Sequence, residues 1–184
     1  EADFFVTKQR YQGFTETIAK DYPDIKVVKA QGIAGPDFAG DAQKVADAML
    51  SQNPDLSGIW AVWDVPAEGV MAAARSASRP RSISPSAAAR SAGRNDLKIA
   101  TEDLGTNVAI ALAQNQLVVG LGAQQPFQQG VTEADIAGGS LIGKKAPAYV
   151  ALNALPVDHS NVLDAWKQVY NTDPPADLQK AFVK

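Results

Sequence analysis

Trp63-Asp64 closes an apolar run that begins at Gly58, and three further polar endings sit at matching places along the chain. Asp103 follows the run 97–101, Gln124 follows 117–123 just ahead of Gln125-Pro126, and Asp37-Phe38 lies in the loop 31–40 that follows 25–30. Carboxylates and amides form paired hydrogen bonds with vicinal hydroxyls, while an aromatic face covers the C–H surface of a ring. Gathered on one rim, these residue types suit a small polyhydroxylated ligand. Each also has a plainer use. Asp64 and Asp103 are favoured N-caps for the helices that follow them, Trp63 can serve as core, and Gln124 can close a turn with Pro126.

Bond-breaking chemistry finds little support. The single histidine, His159, reads as a turn or helix-cap residue in Val157-Asp158-His159-Ser160-Asn161. A Gly-x-Ser-x-Gly nucleophile elbow is missing, and so is a Gly-rich phosphate loop with its lysine; Gly138-Gly139-Ser140 falls late in a helical pattern. Asp64 and Asp103 acting as paired acid and base is the one enzymatic arrangement left open. With no cysteine, disulfides, thiolate metal sites and thiol nucleophiles are excluded. No catalytic residue, cofactor or metal is expected. The 17 basic against 20 acidic residues, a net charge of -3, offer no field for nucleic acid or for a strongly charged membrane surface. No run approaches the ~18 apolar residues of a membrane span. The acidic, aromatic start Glu1-Ala2-Asp3-Phe4-Phe5 is not a signal peptide, so any targeting segment is removed or lies upstream.

Placing the polar endings on one rim is the work of the elements between them. Short apolar runs alternate with longer amphipathic ones across the 184 residues, which predicts β/α units and a largely parallel sheet. Strands are expected at 25–30, 58–63, 97–101, 117–123 and 148–155. Helices are expected at 10–20, 41–52, 67–77, 107–114, 127–142 and 162–170, with a short one after Pro174-Pro175; the spacing of Val45, Ala48 and Met49 is typical. In open α/β sheets, ligands bind beyond the carboxyl ends of the strands, where loops and helix N-termini converge.

One stretch is out of keeping. Ala72-Ala73-Ala74-Arg75-Ser76-Ala77 recurs letter for letter at 87–92, and the nine residues between the copies are rich in Ser, Pro and Arg. This reads as a locally duplicated, solvated insert over 78–92. A basic docking loop is the functional alternative. The insert joins the end of a helix to the next strand, on the side of the sheet away from the rim.

The polar endings occur together with motifs that resemble periplasmic solute-binding proteins of the ribose type, which serve sugar ABC transporters and share their fold with LacI-type effector domains. The motifs are Arg10-Tyr11-Gln12-Gly13-Phe14, Asn53-Pro54-Asp55-Leu56 followed by the strand to Trp63-Asp64, Ile99-Ala100-Thr101-Glu102-Asp103, and Ala123-Gln124-Gln125-Pro126. Their order and spacing cover nearly the whole chain outside the insert. The resemblance implies a periplasmic-binding-protein-like α/β fold of type I, a parallel three-layer αβα sandwich, represented mostly by its C-terminal lobe. Residues 1–124 and 153–184 would form that lobe and 125–152 a segment of the N-terminal lobe, with crossings near Gln124-Gln125 and Leu152-Asn153. It implies capture of a monosaccharide or small polyol outside the cytoplasm for the membrane subunits of an ABC transporter. The alternatives are a LacI-type effector domain or a sugar-acting α/β enzyme.

The resemblance also implies roles. Arg10, Asp103 and Gln124 would bond ring or hydroxyl oxygens, and Phe38 lies within one residue of an aromatic that stacks on the sugar. An Asn-Asp pair of the family appears here as Trp63-Asp64. Either the ligand differs from ribose in size or pucker, or Trp63 turns into the core and Asp64 bonds alone. The family's N-terminal lobe and the first strand of its second lobe precede the point where this sequence starts. The expectation is therefore a fragment of a longer precursor, or a chain that folds with a complementary segment.

Overall fold

In the computed structural model, which describes residues 4–77 and 93–183, helix formation follows the apolar stripes closely. Helix α1 runs Phe5–Asp21, α2 Phe38–Gln52, α3 Asp64–Ser76, α4 Thr106–Ala113, α5 Pro126–Leu141, α6 Val162–Tyr170 and α7 Ala176–Ala181. Asp37 caps α2 by accepting from the Gly40 N–H at 2.9 Å. Ala42, Ala46 and Leu50, four apart, then form the buried stripe of α2. Small residues let α3 lie close against it, since any side chain at Gly69 would strike the Ala39 carbonyl and the Gln43 amide. α4 is apolar almost throughout, and Val108, Ala109, Ala111, Leu112 and Ala113 are all buried. The stripe on α6 is Val162, Ala165, Trp166 and Val169, and Asn171 ends the helix in a left-handed conformation at φ 52°.

The sheet has strands β1 Gly58–Trp60, β2 Lys98–Glu102, β3 Val118–Ala123 and β4 Leu155–Val157, in the order β1-β2-β3-β4. β1, β2 and β3 are parallel neighbours, which brings the residues following each to one end of the sheet. Leu97 and Ile99 are fully buried among these strands and the helices over them, each contributing about 1.5–3 kcal/mol.

Two strand expectations fail. Residues 25–30 are not a strand: no ladder forms there, and Ile25, Val27 and Val28 stay 53%, 52% and 57% exposed. An extended segment satisfies its N–H and C=O groups in a sheet only through a neighbour, and the described sheet ends at β1. The strand expected at 148–155 is displaced to Leu155–Val157 and runs antiparallel to β3. Its central residue is Pro156, which lacks an N–H and is tolerated in an edge strand. The sheet is thus parallel except at this edge.

Burial is uneven. α1 buries only Thr7 and α5 buries nothing, whereas the remaining helices enclose one apolar core. The duplicated insert at 78–92 lies outside the described residues.

Candidate functional site

Arg10 stands on the inner side of α1 and spans two strand ends. Its Nη1 donates to the Val62 carbonyl at 3.1 Å and to Asp103 Oδ2 at 3.0 Å, and its Nη2 donates to Asp103 Oδ1 at 3.0 Å. The third strand end joins through Gln124, whose Nε2 donates to the same Oδ1 at 2.9 Å. A forked guanidinium–carboxylate pair is both directional and stronger than a neutral bond, about 1.5–3 kcal/mol. The side chains remain 15% and 25% exposed, so the pair is largely dehydrated yet open to a ligand.

Asp103 has φ 65°, a left-handed conformation uncommon outside glycine. Such a residue costs on the order of 1–3 kcal/mol and persists where its surroundings overdetermine it. Here the Asp103 N–H donates to the Gly122 carbonyl at 3.0 Å, and the Arg10 fork and Gln124 hold the side chain. From the other side Tyr170, on α6, donates its hydroxyl to the Leu104 carbonyl at 2.7 Å.

Asp64 opens α3 and faces Asp103. Its Oδ1 accepts from the Val65 N–H at 2.8 Å. Burial, and after it the negative charge of Asp103, raises its pKa above the ordinary carboxylate value, against the pull of the Val65 N–H. A side chain at Gly105 would strike the Asp64 carboxylate, so glycine there lets the two strand-end loops meet. Burial also raises Tyr170, with the charges of Asp64 and Asp103 adding to it, which puts that phenol within their field.

The aromatics form a second group at the same strand end. Phe38 meets Trp63 edge-on at 5.2 Å and 69°, and Phe4 lies 6.0 Å from Phe38 and 6.4 Å from Trp63. A tight turn seats Phe38: Gly35 has φ 69°, and a side chain there would collide with the Phe38 ring. Beside the fork, a cleft of about 370 Å³ is lined by Arg10, Gly13, Phe14, Trp60 and Glu102, with Phe14 and Trp60 stacked at 4.6 Å. Glu102 is raised by burial, partly offset by Arg10.

Arg10, Phe38, Trp63, Asp64, Asp103 and Gln124 therefore all fall at one end of the sheet, Arg10, Asp103 and Gln124 in direct contact. Trp63 stands at the N-cap of α3 and Gly105 at that of α4, each without a side-chain cap bond, while Asp64, the first residue of α3, accepts from the first-turn Val65 N–H. Trp63 is half-buried and outside the main core. Gln124 spends its amide N–H on Asp103. His159 is structural: its Nδ1 lies 2.8 Å from the Leu112 carbonyl and its ring stacks on Phe182. Among the described residues, no group of three or more His, Asp or Glu is placed to hold a metal.

Sequence reasoning missed Phe4, Glu102, Tyr170 and the Val62 carbonyl. Glu102 was legible as the neighbour of Asp103. Tyr170 was not, because its link to Leu104 joins residues 66 positions apart.

The profile of a family described as the periplasmic binding protein domain matches residues 1–145. The chain belongs to that family. No curated protein sequence matches it. Among solved structures, it resembles an ABC sugar transporter subunit from Rhodobacter sphaeroides 2.4.1, at 22% identity and TM-score 0.67 over 84% of this chain and 51% of that one. An ABC transporter solute-binding protein from Agrobacterium vitis, bound with alpha-D-tagatopyranose, aligns at 23% identity and TM-score 0.69 over 89% of this chain and 50% of that one. A 5-methylthioribose transporter solute-binding protein from Thermotoga lettingae, in complex with 5-methylthioribose, aligns at 19% identity and TM-score 0.64 over 97% and 62%. The fold is shared with all three, and the chain spans about half the length of the first two.

Proposed function

We propose that this chain supplies one wall of a sugar site in an extracytoplasmic solute-binding protein that captures a monosaccharide or small polyol for an ABC transporter, and that it is not an enzyme. The observation that carries this reading is the Arg10–Asp103–Gln124 network at the strand ends, beside Asp64 and the Phe4, Phe38 and Trp63 rings. A carboxylate held by fork and amide keeps lone pairs for ligand hydroxyls, while Arg10 keeps N–H donors free of Asp103 for ring or anomeric oxygens. The aromatic group offers apolar surface to the C–H face of a sugar. That relatives of the same fold hold tagatopyranose and 5-methylthioribose supports the ligand class.

In this reading 1–124 and 153–184 form one lobe, and 125–152 belongs to the other. The absence of any buried residue in α5 supports the division. The partners are the sugar or polyol, the transporter's membrane subunits and a segment of the N-terminal lobe. The exposed Ile25, Val27 and Val28 and the β1 edge, where the sheet of the described residues ends, favour such a segment. The place of action is the periplasm.

A thermal-shift screen of the complete gene product against pentoses, hexoses and polyols, with tryptophan fluorescence alongside, tests the reading. A ligand at a hundred times its dissociation constant adds about 2.7 kcal/mol of stability, a readily measured rise in Tm. A hit whose fluorescence change disappears in Trp63→Phe is expected; no hit in the panel contradicts the ligand class.

A further inference from the structure

The ladder between β3 and β4 stops at Ala123 opposite Leu155, and the same antiparallel register carried two residues further sets Gln125 against Asn153. The Gln125 carbonyl is already committed, because it accepts the Gln129 N–H at 2.9 Å to open α5, with Pro126 as the next residue. Its side chain makes the cross-connection instead. Gln125 Nε2 donates to the Asn153 carbonyl at 2.9 Å, and Gln125 Oε1 accepts from Gln168 Nε2, on α6, at 3.2 Å. A carbonyl only accepts, so the contact with Asn153 fixes which end of the amide faces it and leaves Oε1 for Gln168.

The bond to Asn153 joins the two points where the chain enters and leaves 126–152. None of residues 126–152 is buried, so burial holds that segment only weakly and its orientation is set at its ends. Two successive glutamines divide the work. Gln124 donates to Asp103 at 2.9 Å, and Gln125 fastens the crossing beside it.

We infer that Gln125 is a positioning residue for ligand binding: its amide clasps the entering and leaving chain and holds 126–152 in the orientation the strand-end site requires, without touching the ligand. This rests on the sugar site and on the division of the chain at 125–152 proposed above. A ligand binds only the competent fraction of a protein, and its apparent dissociation constant rises as that fraction falls. Loosening the clasp therefore weakens every ligand by one factor, whereas loss of a ligand contact weakens some more than others.

The test is Gln125→Glu in the complete gene product, which keeps an acceptor for Gln168 and has no N–H for the Asn153 carbonyl. Titration calorimetry with each sugar or polyol that the parent binds is expected to show affinity lower by a common factor, on the order of fivefold, with the rank order unchanged. Small-angle scattering is expected to differ from the parent without ligand and to match it at saturation. Gln168→Leu, which removes only the tie to α6, is expected to move both readouts the same way and less; it takes over the test should Gln125→Glu not fold. Identical ligand-free scattering overturns the clasp whatever the affinities. A changed rank order puts Gln125 in contact with the ligand, and a lowered Tm at unchanged affinity makes it a structural tie; each overturns the positioning role. A parent that binds nothing in the panel sinks the sugar-binding reading by itself, and the ligand-free scattering of parent and variant still decides whether Gln125 fixes 126–152.

Discussion

Arg10 holds Asp103 by two N–H···O bonds while Gln124 takes the same carboxylate from another direction, so these side chains are set before any ligand arrives. Replacing the fork by a point charge keeps the ion pair and loses the geometry. Arg10→Lys should therefore weaken ligand binding by about 1.5–3 kcal/mol, read by titration calorimetry. Asp64 carries a different cost. Its pKa is raised in the folded chain, so the folded state binds more protons than the unfolded one, and stability falls as pH rises from 3.8 through the raised value. Asp64→Asn, which keeps an oxygen for the Val65 N–H, should raise Tm at pH 7, and the gain should vanish near pH 3 in thermal melts. An unchanged Tm at pH 7 would mean that the Asp64 charge is well solvated.

The elements show why much of the strand-end arrangement could be read before the structure. Parallel strands point their carboxyl ends the same way, so Trp63-Asp64, Asp103 and Gln124 had to share a rim once β1, β2 and β3 were recognised. The helices were legible because stripes such as Ala42, Ala46 and Leu50 keep helical spacing. The strand expected at 25–30 was misread because alternation reports the tendency to pair and not the presence of a partner. Pro156 gave no warning that the last strand would run antiparallel at an edge. Tyr170 shows what one-dimensional reading lacks, a hydroxyl on α6 that secures the Leu104 carbonyl beside the left-handed Asp103. Tyr170→Phe should cost about 1 kcal/mol of stability in denaturant unfolding. It should also weaken ligand affinity, since Asp103 would lose part of its support; loss of stability alone would make Tyr170 purely structural.

At the scale of the whole molecule, burial divides the chain. The core around β2, β3, α3 and α4 is closed, while α1, α5 and residues 25–30 expose most of their surface. Backbone amides at Ile99, Thr101 and Leu121 should exchange slowest with deuterium and those of α5 much faster, because local opening follows buried contacts. Uniform protection would contradict that division. The rim itself lies where the closed core meets the exposed α1, and Arg10 is the side chain that ties the two.

The most direct test is titration calorimetry of the complete gene product with its best-bound sugar or polyol, comparing the parent with Asp103→Ala. Binding should weaken by at least ~2 kcal/mol, roughly thirtyfold, because the substitution leaves the Arg10 fork and the ligand hydroxyls without their shared acceptor. Affinity unchanged by Asp103→Ala would place the ligand elsewhere and contradict the strand-end site.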